Sequence, residues 1–220
     1  MGDSQAGAVL MTPVLVTRVL VIRHAPSVWN VEGRWQGWAD PPLAETGAAE
    51  AEAAAAALGL VELVITSDLE RARRTGAILA PGAPQQIEPL LRELDVGEWS
   101  GLTRAELERA WPEELARFDS DERYTPPGGE RREAFDVRVG AAARRVADAI
   151  TSASAQRTLI VCHAGVIRSL ARQQDHPDRH IGHLCGFEGA VTGGTLALLR
   201  AIDLRPGRQP GDRVSSGEIL

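Results

Sequence analysis

With 220 residues, 44% of them hydrophobic, the chain can bury a full core as one domain, or as one domain with an inserted lobe, and is short for two. A formal charge of −6, with all 24 basic residues arginine, gives no basic face to track phosphates and excludes nucleic acid and anionic membranes as partners. Without lysine, any anion site must be built from guanidinium, imidazole and backbone N–H groups.

Residues 1–17 read as an N-terminal tail. Pro13 and Arg18 interrupt its apolar stretch and no window reaches membrane-spanning length, so a cytoplasmic protein is expected. The domain is expected over 18–202, starting with a strand at Arg18–Arg23 that ends in "RHAPSVWN". The alanine run "TGAAEAEAAAAALG" predicts a helix stopped by Gly59. A strand over Val61–Thr66 leads into the helix "LERARRTGAILA", with Ser67 or Asp68 available as N-cap, and a weaker strand follows at Gln85–Leu90. Over about 94–129 the pattern loosens around Trp99, Trp111, Pro112, Pro126 and Pro127, as in a lid-like insertion, with helices at Thr103–Ala110 and Pro112–Phe118. Then come a helix at Glu130–Thr151, a strand at Thr158–Cys162, a helix opening in "AGVIRSL" and a strand at Thr195–Ala201. Residues 203–220 are a polar, Pro/Gly-rich tail. Short strands alternating with longer helices predict an α/β fold, a three-layer α/β/α sandwich with a mostly parallel central sheet. Cys162 and Cys185 form no C-x-x-C pattern and suit reduced thiols.

Two of these strands end alike, one at Arg23–His24 and one at Cys162–His163. In open α/β sheets ligands bind beyond the carboxyl ends of the strands, so the two histidines can face one another across one crevice. A single strand-end histidine would be ordinary; the repeated placement is not. Arg71, Arg73 and Arg74 fall in the first turns of a helix, where the positive end of the dipole disfavours cations, and two of the three are expected to face solvent. Arg23, at the end of an apolar strand, needs a partner. Two histidines, at least two arginines and helix-start amides together fit phosphate. A neutral imidazole can attack phosphorus while guanidiniums neutralise the equatorial oxygens, and neither a metal nor another cofactor is needed. His176, His180 and His183 in "HPDRHIGH" have the i, i+4, i+7 spacing of a metal site on a helical face, but Pro177 interrupts the turn and no carboxylates complete the set. They are expected to be loop or lid histidines. Trp29 and Trp38 sit among the pocket motifs and could touch substrate.

Six stretches, in order between residues 23 and 170, resemble the motifs of the histidine phosphatase superfamily, the phosphoglycerate-mutase-like proteins. They are "RHAPSVWN", "GRWQGWADPPLAETG", "TSDLERARRT", "LRELDVGEWSGLT", "PPGGE" and "VCHAGVIRSL". The resemblance implies that His24 is the nucleophile that becomes phosphohistidine, that Arg23, Arg71 and His163 hold the phosphoryl group, and that Glu93 is the proton donor. It further implies that Asn30, Gln36 and Gly37 line the phosphate pocket with Ser27 nearby, and that the Ala164 and Gly165 amides add donors to the substrate-binding set. Ala25 and Pro26 stand where the family has glycine and glutamate, and Arg131, expected near the mouth, would favour a substrate with an additional negative charge. The short segment between "GEWSGLT" and "PPGGE" matches the phosphatase branch. The implied activity is metal-independent hydrolysis of small phosphorylated metabolites, with a cofactor-dependent phosphoglycerate mutase and a non-catalytic phospho-ligand-binding protein as alternatives. A homodimer is left open.

Overall fold

The computed structural model describes residues 17–121 and 123–207. The expected tails fall almost wholly outside those residues. The chain runs β1 (Thr17–Arg23), α1 (Val28–Val31), α2 (Glu45–Leu58), β2 (Leu63–Thr66), α3 (Glu70–Leu79) and β3 (Gln85–Ile87). After short 3₁₀ turns at Pro89–Leu91 and Gly97–Trp99 come α4 (Arg104–Ala110), α5 (Pro112–Ser120), α6 (Arg132–Ala153), β4 (Arg157–Cys162), α7 (Ala164–Gln173), β5 (Cys185–Thr192) and β6 (Thr195–Asp203).

The strands form one mixed sheet in the order β3-β2-β4-β1-β5-β6. β3, β2, β4 and β1 are parallel, while β5 and β6 close the β1 side antiparallel. Side-chain alternation splits the core between the two faces. Val19, Val21, Ile160 and Cys162 meet Phe135, Val139 and Val146 of α6 and Val166, Ile167 and Leu170 of α7. On the other face Ile22, Leu159 and Val161 meet Ala51, Ala54 and Leu58 of α2 and Ala72 and Leu79 of α3. This is the α/β/α sandwich expected. Between Leu94 and Gly129, α4 and α5 gather a third cluster of Trp35, Val96, Trp99, Leu107 and Leu115, with Trp111, Phe118 and Tyr124 around it.

Two sequence readings need correction. The strand β5 was not expected, because Gly186, Glu188 and Gly189 break its apolar pattern. Gly186 is there for close approach, since a Cβ would lie 1.9 Å from the Val21 carbonyl oxygen, and Glu188 pairs with Arg18 and Arg200. Neither Ser67 nor Asp68 caps α3, whose N-cap is Leu69. Both side chains have other partners, His163 and Arg92. The first-turn amide of Glu70 donates instead to Asp40 Oδ1 at 2.7 Å.

Candidate active site

The end of β1 is held from both sides. His24 N–H donates to the Cys162 carbonyl at 3.0 Å, and Leu184 N–H donates to the Arg23 carbonyl at 3.1 Å. His24 is buried, and its Nδ1 lies 2.7 Å from the Ala25 carbonyl oxygen. A carbonyl only accepts, so Nδ1 carries the hydrogen and Nε2 keeps its lone pair. Burial, followed by Arg71, His163, His183 and Arg23, holds the His24 pKa well below the usual 6.5, so the ring is neutral near pH 7.

His163, the N-cap residue of α7, is fully buried, and its ring centroid is 5.1 Å from that of His24 at 63°. Its Nε2 is 2.8 Å from Ser67 Oγ, while its Nδ1 is buried without a partner. Burial is again the main cause of a lowered pKa, followed by Arg71, Arg23 and Arg138.

Arg71 reaches back from α3 and is 1% exposed. Nη1 donates to the Ala39 carbonyl at 2.7 Å and Nη2 to the Gly37 carbonyl at 2.8 Å, but Nε has no partner. Burial is the main reason its pKa is pushed down to about 10, which leaves it charged at neutral pH. Arg73 and Arg74 are exposed, as two of the three were expected to be. Arg23 is buried and donates from Nη1 to the Ile181 carbonyl at 2.9 Å.

Glu93 arrives from the opposite wall. Its Oε2 accepts from Gly165 N–H at 3.0 Å and its Oε1 from Leu94 N–H at 2.7 Å. A Cβ at position 165 would sit 2.2 Å from Glu93 Oε1 and displace the carboxylate from this position. The Glu93 carbonyl accepts from Trp38 Nε1 at 2.8 Å and Arg138 Nη2 at 3.1 Å, which pins the main chain that carries the acid.

These groups open on one cavity of about 610 Å³, lined by Arg23, His24, Gln36, Gly37, Arg71, Glu93, His163 and Gly165. Among the residues expected in the pocket, Ser27, Asn30 and Ala164 do not line it. Ser27 and Asn30 stand behind it as the capping box of α1, with Ser27 Oγ 2.8 Å from Gln36 Oε1, so they reach the cavity through Gln36. Ala164 is buried in the first turn of α7. Neither Trp29 nor Trp38 lines the cavity, whereas Trp35 does. Arg131 is also outside it, its side chain 80% exposed beside Glu133, and the neighbouring Arg132 takes the lining position. The α6 helix starts at Arg132, and its first turn turns that side chain inward.

The "HPDRHIGH" histidines disperse. The segment is not helical, His176 Nε2 lies 3.0 Å from the Leu198 carbonyl, and among the described residues no group of three or more His, Cys, Asp or Glu is placed to hold a metal ion. His183, by contrast, belongs beside the site. It is buried, its Nδ1 lies 3.0 Å from the His24 carbonyl oxygen, and its ring is 5.5 Å from the His24 ring. The sequence signalled a histidine there without revealing its partner. Ser67, the partner of His163, was hidden in the same way inside "TSDLERARRT".

A family profile described as the histidine phosphatase superfamily (branch 1) matches residues 19–186. A glucosyl-3-phosphoglycerate phosphatase of Mycolicibacterium vanbaalenii is 32% identical over 163 residues, which covers 70% of this chain and 72% of that one. A 2,3-bisphosphoglycerate-dependent phosphoglycerate mutase of Methylocella silvestris is 33% identical over 165 residues, 69% of this chain and 78% of that one. Among solved structures, the alpha-ribazole phosphatase from Shigella flexneri superposes with a TM-score of 0.72 at 27% identity, covering 88% of this chain and 100% of its own.

Proposed function

The chain belongs to the histidine phosphatase superfamily (branch 1) and is an enzyme of phosphatase or mutase type; on that premise we propose that it is a metal-independent phosphomonoesterase working through a phosphohistidine on His24. The observation that carries this reading is a pair of buried nitrogens without partners. Arg71 Nε and His163 Nδ1 are buried and unpaired beside a neutral His24. An unpaired buried polar group costs about 1–3 kcal/mol, a cost removed when an anion accepts from it. A phosphoryl group between the two histidines would accept from Arg71 Nε, and from His163 Nδ1 in the tautomer in which Ser67 Oγ–H donates to Nε2, with Arg23 beside it.

In the first half-reaction His24 Nε2 donates its lone pair to phosphorus, the P–O ester bond breaks, and the leaving alkoxide takes a proton from Glu93. In the second, the Glu93 carboxylate removes a proton from water, whose oxygen bonds to phosphorus as the P–N bond breaks. Inorganic phosphate leaves, His24 is neutral again and Glu93 is protonated again. The guanidiniums of Arg71 and Arg23 neutralise the equatorial oxygens throughout. The Leu94–Gly129 segment lines one side of the cavity through Leu94, Val96 and Phe118 as a lid-like cover, and the enzyme works in the cytoplasm on small phosphoesters.

Hydrolysis is favoured over mutase chemistry by the short run between the acid-bearing loop and "PPGGE" and by Pro26, which removes an acidic group next to the nucleophile. Purified protein should release inorganic phosphate from several phosphoesters and interconvert 3- and 2-phosphoglycerate negligibly, even with 2,3-bisphosphoglycerate supplied. Interconversion faster than any hydrolysis would make it a mutase.

A further inference from the structure

The "PPGGE" motif spans residues 126–130, and none of them lines the cavity. What it touches is the loop that carries Glu93. Glu98 N–H donates to the Pro127 carbonyl and Glu130 N–H to the Asp95 carbonyl, both at 2.9 Å. The two segments lie backbone to backbone: a Cβ at Gly97 would sit 2.2 Å from the Pro127 carbonyl oxygen, and one at Gly129 2.8 Å from the Asp95 carbonyl oxygen. This seating delivers the Glu130 carboxylate to Arg138 on α6. Glu130 Oε1 accepts from Arg138 Nε at 2.9 Å and Oε2 from Nη2 at 2.6 Å, and the two side chains are only 15% and 14% exposed.

From Arg92 to Val96 the acid-bearing loop has neither helix nor strand, so its carbonyls need partners from elsewhere. Arg138 Nη1 donates to the Leu90 and Arg92 carbonyls, each at 2.8 Å, and Nη2 to the Glu93 carbonyl at 3.1 Å. With the fork on Glu130, all five donors of the guanidinium are spent, and none is spent on the cavity, which Arg138 does not line. A lysine has no such fork. Trp38, expected at the substrate, supplies the other bond to the Glu93 carbonyl, with its ring 5.9 Å from the Arg138 guanidinium carbon.

Resting on the phosphatase reading, in which Glu93 is the acid, we propose that Arg138, aligned by Glu130, is a positioning residue that sets where the Glu93 carboxylate meets the Gly165 amide and the leaving group. A misplacement of about 1 Å in such a group can cost roughly 10²-fold in rate.

The test uses the full chain carrying Glu130→Gln, which exchanges the charged fork for a neutral amide of the same volume, or Arg138→Met, which removes all the donors. The Gly165 amide donates to Glu93 Oε2 and reports the carboxylate directly in a ¹⁵N–¹H spectrum. In both variants its resonance should move toward the position it takes in Glu93→Ala, where the acceptor is gone. In steady-state kinetics each variant should lose roughly tenfold or more in kcat on a sugar phosphate and about threefold or less on p-nitrophenyl phosphate, with KM little changed. Added to Glu93→Gln, Arg138→Met should cost little more, because both act through one group. A Gly165 resonance that stays in place in both variants, equal losses on the two esters, or a loss that adds in full to that of Glu93→Gln would overturn the role. If Arg138→Met does not fold, Glu130→Gln decides by the same resonance and the same ratio of rates. If the unsubstituted protein releases phosphate from neither ester, the phosphatase reading ends; in that case, or if only one ester is hydrolysed, the Gly165 resonance alone decides whether Arg138 sets Glu93.

Discussion

Glu93 and His24 divide the proposed chemistry by what surrounds each. His24 is buried among cations that keep it neutral, whereas the Glu93 carboxylate is held by two main-chain amides opposite it. If Glu93 donates the proton to the leaving group, Glu93→Gln removes that step and preserves volume, at a cost of roughly 10²–10⁴ in rate on a sugar phosphate. On p-nitrophenyl phosphate, whose leaving group needs little protonation, the loss should be much smaller. Steady-state kinetics on both substrates decide it, and equal losses would make Glu93 structural. Residues of this kind were legible because strand ends mark them: Arg23, His24 and His163 follow apolar runs, and the pattern alone puts them at one edge of a sheet. Ser27 and Asn30 were less legible, since a motif does not say whether a side chain points at the cavity or at Gln36 behind it.

The segment that precedes β5 acts on β1 as a clamp. Ile181 holds the Arg23 guanidinium, His183 holds the His24 carbonyl, and Leu184, buried with φ 57°, donates to the Arg23 carbonyl. A non-glycine residue in the left-handed region costs about 1 kcal/mol or more and persists only where its surroundings hold it. On the proposed mechanism His183 is a positioning residue: His183→Leu should lower kcat about tenfold with KM little changed, since displacing the proposed nucleophile loses rate more than binding. His183→Asn, whose amide can still donate to the His24 carbonyl, should recover most of that rate. If leucine and asparagine behave alike, the hydrogen bond does not position His24. None of this was readable from the sequence. The glycines and glutamate of β5 hide a strand whose pattern is set by its neighbour's backbone, and the loop expected for "HPDRHIGH" does not say which of its histidines turns to β1.

Across the whole molecule, the two faces of the sheet carry the stability while its carboxyl edge carries buried polar groups at a cost. The layers were legible because the alternation of apolar residues and the order of short strands and long helices leave few other arrangements; the antiparallel edge was not, because it depends on the unexpected β5. The cost at the site has a pH signature. His24 and His163 have folded pKa values depressed below 6.5, so above that pH neither the folded nor the unfolded chain protonates them. As the pH falls below it, the unfolded chain binds protons that the folded chain refuses, and stability is lost by up to about 1.4 kcal/mol per pH unit for each histidine. Urea unfolding between about pH 7 and pH 5 should show that slope, and the double variant His24→Ala, His163→Ala should flatten it; an unchanged slope would mean other groups are responsible. The central claim, that the phosphoryl group passes through His24, has a more direct test. A rapid acid-free quench after mixing with a ³²P-labelled phosphoester, then trypsin, should place an acid-labile, base-stable label on the peptide spanning residues 24–34. Label that is acid-stable, label on another peptide, or no label from protein that is turning over substrate would contradict it.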